Sequence, residues 1–329
     1  MDVQKIHELI ENGLTDGAYS CYAVAVGRGR EVLFKSVGGC RAIEPTRLPM
    51  TEDTLFDMAS LSKLMGTTMA VLKLVEQNKL SFTNKLGDYF DNCYGKENIT
   101  IFDLMTHTSG IKAHFPLWLR GITPDMAAET VLREDLRYQT SSDVVYSCMG
   151  YILLAKILEK IEQEPLDKIV NRLVFAPLGM NNTCYCPKNK PCAATERDAD
   201  TGEIICGVVH DENARFLNGI SGNAGVFSDL DDCIKFATMV AEKGKGFIDE
   251  RLFDYAVTDF TPTLSERRGI GFQHVYNRYG HTGFTGTSIY NDKNSDLYAI
   301  LLTNRVHPTR NNDKLMKIRP ELHKLVFGE

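Results

Sequence analysis

Phe56-Asp57-Met58-Ala59-Ser60-Leu61-Ser62-Lys63 sets a serine three residues ahead of a lysine where a long amphipathic stretch begins. On a helix, residues three apart share a face, so the Ser60 hydroxyl and the Lys63 amine come within hydrogen-bonding reach. A serine must lose its proton as it attacks a carbonyl, and a lysine in a desolvated pocket can have its pKa lowered enough to accept it. Unpaired backbone N–H groups at the helix start favour negative charge beside Ser60. An S-x-x-K tetrad also arises by chance, so its weight depends on the rest of the chain.

Outward from the tetrad, Leu61, Leu64, Met65, Thr68, Met69, Leu72 and Val75 follow three-four spacing, and 151–161 is a second apolar helix in a helical region running from about 60 to 160. Both ends read as strands. Runs 20–26 and 31–37 flank Gly27-Arg28-Gly29-Arg30 as a hairpin, and 269–276, 280–290 and 296–303 are strands separated by turns at 277–279 and 291–295. Val3, Ile6 and Ile10 predict an N-terminal helix, and another is expected over 312–327. Strands at both ends with a helical middle predict an α+β fold, an α/β sandwich. Its antiparallel sheet is built from the N- and C-terminal segments and flanked by helices, with a mainly helical region inserted. The expected organisation is a single domain, 1–329, with a sheet lobe of 1–58 plus 225–329 and a helical lobe of 59–224. The active site then falls between the lobes, where clefts form.

The chain of 329 residues is long enough to bury a substantial core. A net charge of −6 with no basic run argues against nucleic acid as a partner and leaves small molecules or short peptides as substrates. No apolar run reaches the roughly 18 residues that a membrane span needs. The first ten residues carry acids where a secretory signal needs an apolar run, which predicts a cytoplasmic protein. Nine cysteines then read as reduced thiols. Among them Cys184, Cys186, Cys192 and Cys206 lack paired zinc spacing and are expected to be free. No metal or cofactor is required.

Three further signals follow the tetrad in order: 99–110, containing Thr106-His107-Thr108-Ser109-Gly110; Tyr146-Ser147-Cys148; and Gly280-His281-Thr282-Gly283-Phe284. S-x-x-K, S-D-N and K-T-G together mark serine β-lactamases and penicillin-binding proteins. The chain resembles the branch of that family containing class C β-lactamases, D-alanyl-D-alanine peptidases, D-aminopeptidases and related esterases. The likeness extends over nearly the whole chain, through Pro177-Leu178-Gly179-Met180, 209–214, 222–227 and Leu302-Thr303-Asn304-Arg305.

The resemblance implies that Ser60 attacks a carbonyl, with Lys63 and Tyr146 sharing the proton traffic; which of the two is the principal base stays open. It also implies an oxyanion hole from the backbone N–H groups of Ser60 and Phe284, with Cys148, His281, Thr282 and Gly283 lining the substrate site. Two departures stand out. Cys148 occupies a position that is usually asparagine, and a thiol is a weak donor and acceptor. His281 replaces the permanently charged lysine of K-T-G and is expected to be partly protonated at neutral pH. His107 is read as a packed structural residue, His210-Asp211-Glu212 as the end of a hairpin, and Asn223, Ala224 and Gly225 as the cleft edge. These features point to a serine hydrolase of small esters or amides, including D-amino-acid peptides. The alternatives are weak β-lactam turnover or penicillin-binding activity, and a non-catalytic binding protein on the same fold.

Overall fold

The computed structural model describes residues 1–328. Ten strands form two sheets: β1 (Cys21–Arg28), β2 (Glu31–Ala42), β3 (Leu48–Pro49), β4 (Phe56–Asp57), β5 (Cys184–Tyr185), β6 (Val226–Ser228), β7 (Gln273–Val275), β8 (Arg278–Thr282), β9 (Ser288–Asp292) and β10 (Leu297–Thr303). The main sheet is antiparallel in the order β3-β2-β1-β10-β9-β8-β7, so the first and last strands of the chain are neighbours at its centre. The smaller sheet, β4-β6-β5, draws together three segments far apart in sequence. Residues 50–272, mainly helical, run between the two halves of the main sheet.

Period-two alternation explains why β1 is buried on both faces. Tyr22, Val24 and Val26 pack with Ile6, Ile10, Leu315 and Leu322 from the terminal helices Val3–Thr15 and Leu315–Phe327. Cys21, Ala23 and Ala25 face the larger core, which also takes in the helices Leu230–Ala241 and Cys148–Glu162. Small side chains on this second face let the helix Leu230–Ala241 lie close over β1, β9 and β10. Each fully buried aliphatic side chain in these layers contributes about 1.5–3 kcal/mol. Among the described residues no helix is long and apolar enough to cross a membrane.

The α+β architecture expected from the sequence is the one observed, with local differences. The run 280–290 is not one strand: β8 ends at Thr282, β9 starts at Ser288, and 283–287 is a turn. Arg278 and Tyr279 belong to β8 rather than to a turn, and the final helix begins at Leu315 rather than 312. His210-Asp211-Glu212 does not end a hairpin. Asp211 caps the helix Glu212–Phe216 by accepting from the Ala214 N–H at 2.8 Å. No metal-holding cluster occurs among the described residues, and all nine cysteines are free thiols.

Candidate active site

Ser60 sits immediately before a helix spanning 61–76 whose Lys63–Thr68 part is π-helical. Ala59, just ahead of it, is held at φ 46°, a conformation costly for a residue with a Cβ. Several bonds hold it there. Asp57 Oδ1 accepts from the Ala59 N–H at 2.8 Å, and Met58 N–H donates to Val226 O at 2.9 Å. The turn 283–287 is fastened to the same segment: Thr285 Oγ1 donates to Asp57 O at 2.7 Å, and Thr287 Oγ1 donates to Met58 O at 3.1 Å.

Lys63 is fully buried. Its Nζ donates to Ser60 Oγ at 3.1 Å and to Asn223 O at 2.9 Å, and it lies 4.8 Å from the centroid of the Tyr146 ring. Burial works against the ammonium, but anionic Cys148 and Tyr146 would favour it, and the balance holds the amine above its usual range. The sequence suggested a lysine whose pKa desolvation lowers; the direction here is upward instead. Burial also raises the Tyr146 phenol, while Lys63 pulls it back. Tyr146 Oη lies near enough to Lys63 and Ser60 for both to bear on its ionisation, yet it is buried with no closed hydrogen bond.

Tyr146 is positioned by the start of the helix Cys148–Glu162, whose Ser147 side chain accepts from Gly150 N–H at 3.1 Å. His107 braces it from behind. The His107 ring packs on Tyr146 at 4.7 Å between centroids, its Nδ1 accepts from Ser147 N–H at 3.0 Å, and its carbonyl accepts from Val145 N–H. Burial keeps His107 neutral, as a packed histidine should be.

A cavity of about 380 Å³ opens in front of Ser60, lined also by Tyr146, His281, Thr282, Gly283 and Phe284. Larger clefts exist elsewhere, but none reaches Ser60. Gly283 is required at its position. A Cβ there would collide with Thr287 Oγ1 and with Met58 O, 2.5 Å away. Among the described residues the backbone N–H groups of Ser60 and Phe284 donate to no acceptor, the condition that an oxyanion hole requires of its donors. Cys148 lies beside Lys63 but does not line the cavity, so it is separated from the other substrate-site residues.

His281 is not partly protonated. Burial, with Arg268 and Lys63 nearby, lowers it to about 3, and Nδ1 donates to Thr282 O at 2.7 Å. Its Nε2 is left as a buried acceptor without a partner. The positive charge that K-T-G supplies comes here from elsewhere. Arg268 lines the cavity with its guanidinium 5.3 Å above the Tyr146 ring; Nη2 bonds Glu266, while Nε and Nη1 are buried without partners.

A family model described as Beta-lactamase matches residues 6–321. The chain belongs to the β-lactamase family. Within it, this family member is 31% identical to a Bacillus subtilis (strain 168) protein named N-acetylmuramyl-L-alanine amidase, over 93% of this chain and 81% of that protein. It is 29% identical to a putative D-alanyl-D-alanine carboxypeptidase of Salmonella agona (strain SL483), over 95% of this chain and 86% of the other. The octameric penicillin-binding protein homologue from Pyrococcus abyssi shares the fold, with a TM-score of 0.80 at 21% identity, over 100% of this chain and 78% of that one. EstCE1, a hydrolase with promiscuous acyltransferase activity, does so with a TM-score of 0.79 at 20% identity, over 97% and 98%. The chain is thus a hydrolase of the serine β-lactamase and penicillin-binding-protein superfamily.

Sequence reasoning missed the arginines. Arg268, Arg305 and Arg319 all line the cavity, with Glu266 as its acid. Arg267-Arg268, just before the strand run that leads to His281, was the available signal. It carried no spacing rule that could place it there.

Proposed function

We propose that the protein is a serine hydrolase that forms an acyl intermediate on Ser60 with small esters or amides, including short peptides ending in a free carboxylate. The observation that carries this reading is the 3.1 Å hydrogen bond between Lys63 Nζ and Ser60 Oγ at a cavity bordered by two unused backbone donors. In the resting site Lys63 holds its proton and Tyr146 is a neutral phenol. Ser60 becomes nucleophilic once the Lys63–Tyr146 pair has lost one proton to solvent and can accept that of the hydroxyl. The tetrahedral oxyanion is held by the N–H groups of Ser60 and Phe284, a kind of donor worth about 10²–10³ in rate apiece. The pair then returns the proton to the leaving group, and water repeats the sequence on the acyl-enzyme.

Arg268 supports a carboxylate-bearing substrate, because it brings to the cavity wall a guanidinium whose Nε and Nη1 have no protein partner. Weak β-lactam turnover is the second reading, and such substrates carry a carboxylate as well. Cys148 in place of a carboxamide disfavours it, since no side-chain amide is present there to hold the substrate's own amide. We place the protein in a reducing compartment, the cytoplasm, which its nine free thiols support.

The test is covalent labelling with a fluorophosphonate and turnover of a chromogenic short-chain ester, repeated with Ser60→Ala. An adduct located on Ser60 by mass spectrometry, with labelling and turnover both lost in the variant, is expected. Ester turnover that persists in Ser60→Ala would refute the assignment of the nucleophile, and no adduct or turnover on any ester, D-amino-acid amide or β-lactam would favour a binding protein.

A further inference from the structure

Arg319 projects from the C-terminal helix into the cavity that Ser60 and Arg268 share. Its Nε is buried without a partner, and its one hydrogen bond is a long 3.5 Å from Nη2 to Thr287 O. Among the described residues no carboxylate forms an ion pair with it, whereas Arg268 has Glu266. Arg305, the third cationic side chain, is already engaged by the carbonyls of Phe284, Arg310 and Asn312. Gln273 completes the pattern: Tyr290 Oη donates to its Oε1 at 2.6 Å, which leaves the amide NH₂ to face the cavity. A half-buried guanidinium with no counter-charge is costly unless a ligand supplies one.

We propose that Arg319, with the Gln273 amide, forms a second anionic subsite that selects substrates whose C-terminal residue carries an acidic side chain in addition to the α-carboxylate at Arg268. The inference rests on the hydrolase reading for the orientation of the substrate, but not for its binding. Two arginines lining one cavity, with Glu266 as its single acid, can accommodate two carboxylates on one ligand. A mono-anion leaves one guanidinium unpaired. Arg319 also touches the turn 283–287 through Thr287, so a purely structural role as a brace must be separated from selectivity.

The discriminating experiment uses Ser60→Ala protein, which cannot turn the ligand over, and titration calorimetry with N-acetyl-D-alanyl-D-glutamate and N-acetyl-D-alanyl-D-glutamine. These ligands differ in one charge at matched size. The glutamate ligand is expected to bind about tenfold or more tightly than the glutamine one, as one charge-assisted pair predicts. In Ser60→Ala/Arg319→Gln the ratio is expected to fall to near one, and in Ser60→Ala/Arg319→Lys to be partly kept. A brace would weaken both ligands equally and leave the ratio unchanged. Equal binding of the two ligands to Ser60→Ala, binding of neither, or a preference that survives Arg319→Gln would overturn the proposal. Ester turnover by the unaltered protein reports separately on the hydrolase reading, so the two can fail independently.

Discussion

Replacing Lys63 by methionine separates a catalytic lysine from a structural one. The side chain is fully buried, and among the described residues its charge has no carboxylate in an ion pair and bonds the Ser60 hydroxyl and the Asn223 carbonyl. Removing it forfeits two hydrogen bonds to a charged group, about 1.5–3 kcal/mol each. It also removes the desolvation penalty of a buried ion, itself several kcal/mol. Methionine is close in length and flexible enough to fill the space, so no large cavity opens. The opposing terms leave the folding stability of Lys63→Met within about 2 kcal/mol of the unaltered protein. The rate, however, loses the proton acceptor's partner and falls by about 10²–10⁴. Urea unfolding followed by far-UV circular dichroism gives the first quantity, and ester turnover with fluorophosphonate labelling kinetics gives the second. Lys63→Met protein that loses more than about 4 kcal/mol of stability, or that keeps its turnover within a few-fold, would refute this account of the residue.

Three further outcomes follow from the same geometry. His274, His281 and His323 are buried, and burial lowers them to about 4, about 3 and about 3. Their folded pKa values lie below the unfolded value near 6.5, so the stability they contribute is complete above that pH and is lost as pH falls toward the folded values. Near pH 5 the unfolded chain binds three more protons at these sites, a slope of about 4 kcal/mol per pH unit, and urea midpoints measured from pH 7 to 4.5 should fall accordingly; flat midpoints would contradict the burial argument. By the same reasoning no histidine of the site titrates near 6.5, so log kcat/KM should show no inflection there. Gly283→Ala would press a methyl group on Thr287 Oγ1 and Met58 O and shift the Phe284 N–H. A 10²–10³-fold loss of kcat, about what one oxyanion donor is worth, is expected with a stability cost of about 1–3 kcal/mol, read by ester kinetics and thermal unfolding.

Local pattern carried much of this fold and part of its site. The three-residue spacing of Ser60 and Lys63 and the strand-like runs 20–26 and 296–303 are properties of a single segment, and they reappear as a hydrogen bond and as the paired strands β1 and β10. The turn 283–287 was hidden because its stabilising bonds run from Thr285 and Thr287 to the backbone of Asp57 and Met58, over 200 residues away. Without those partners 280–290 reads as continuous strand. Protonation was misread for the same kind of reason. The states of His281 and Lys63 depend on burial and on neighbours from several elements, none of them visible in a motif. The helix cap at Asp211 was legible, since an aspartate followed by a short helical run is the ordinary signature of a helix start.

The departures at Cys148 and His281 make sense once the bonds that fix Ser60 are separated from the side chains that face a substrate. The first set ties side chains of 57–63 to backbone groups of remote segments. The Asp57 carboxylate holds the N–H groups of Ala59 and His210, Met58 N–H donates to Val226 O, Val226 N–H donates to Ser62 Oγ, and Lys63 ends on a peptide carbonyl. Three remote segments therefore converge on 57–63, each bond joining a backbone group to one polar side chain or to another backbone group. Side chains on the cavity wall carry no such burden: His281 bonds only the adjoining carbonyl of Thr282, and Arg268 leaves most of its donors unused. Changing a wall residue alters which ligand is stabilised without moving Ser60. A family built this way can keep its nucleophile geometry while its cation passes from a lysine on the strand to arginines on neighbouring elements, as the pairing of neutral His281 with Arg268 illustrates.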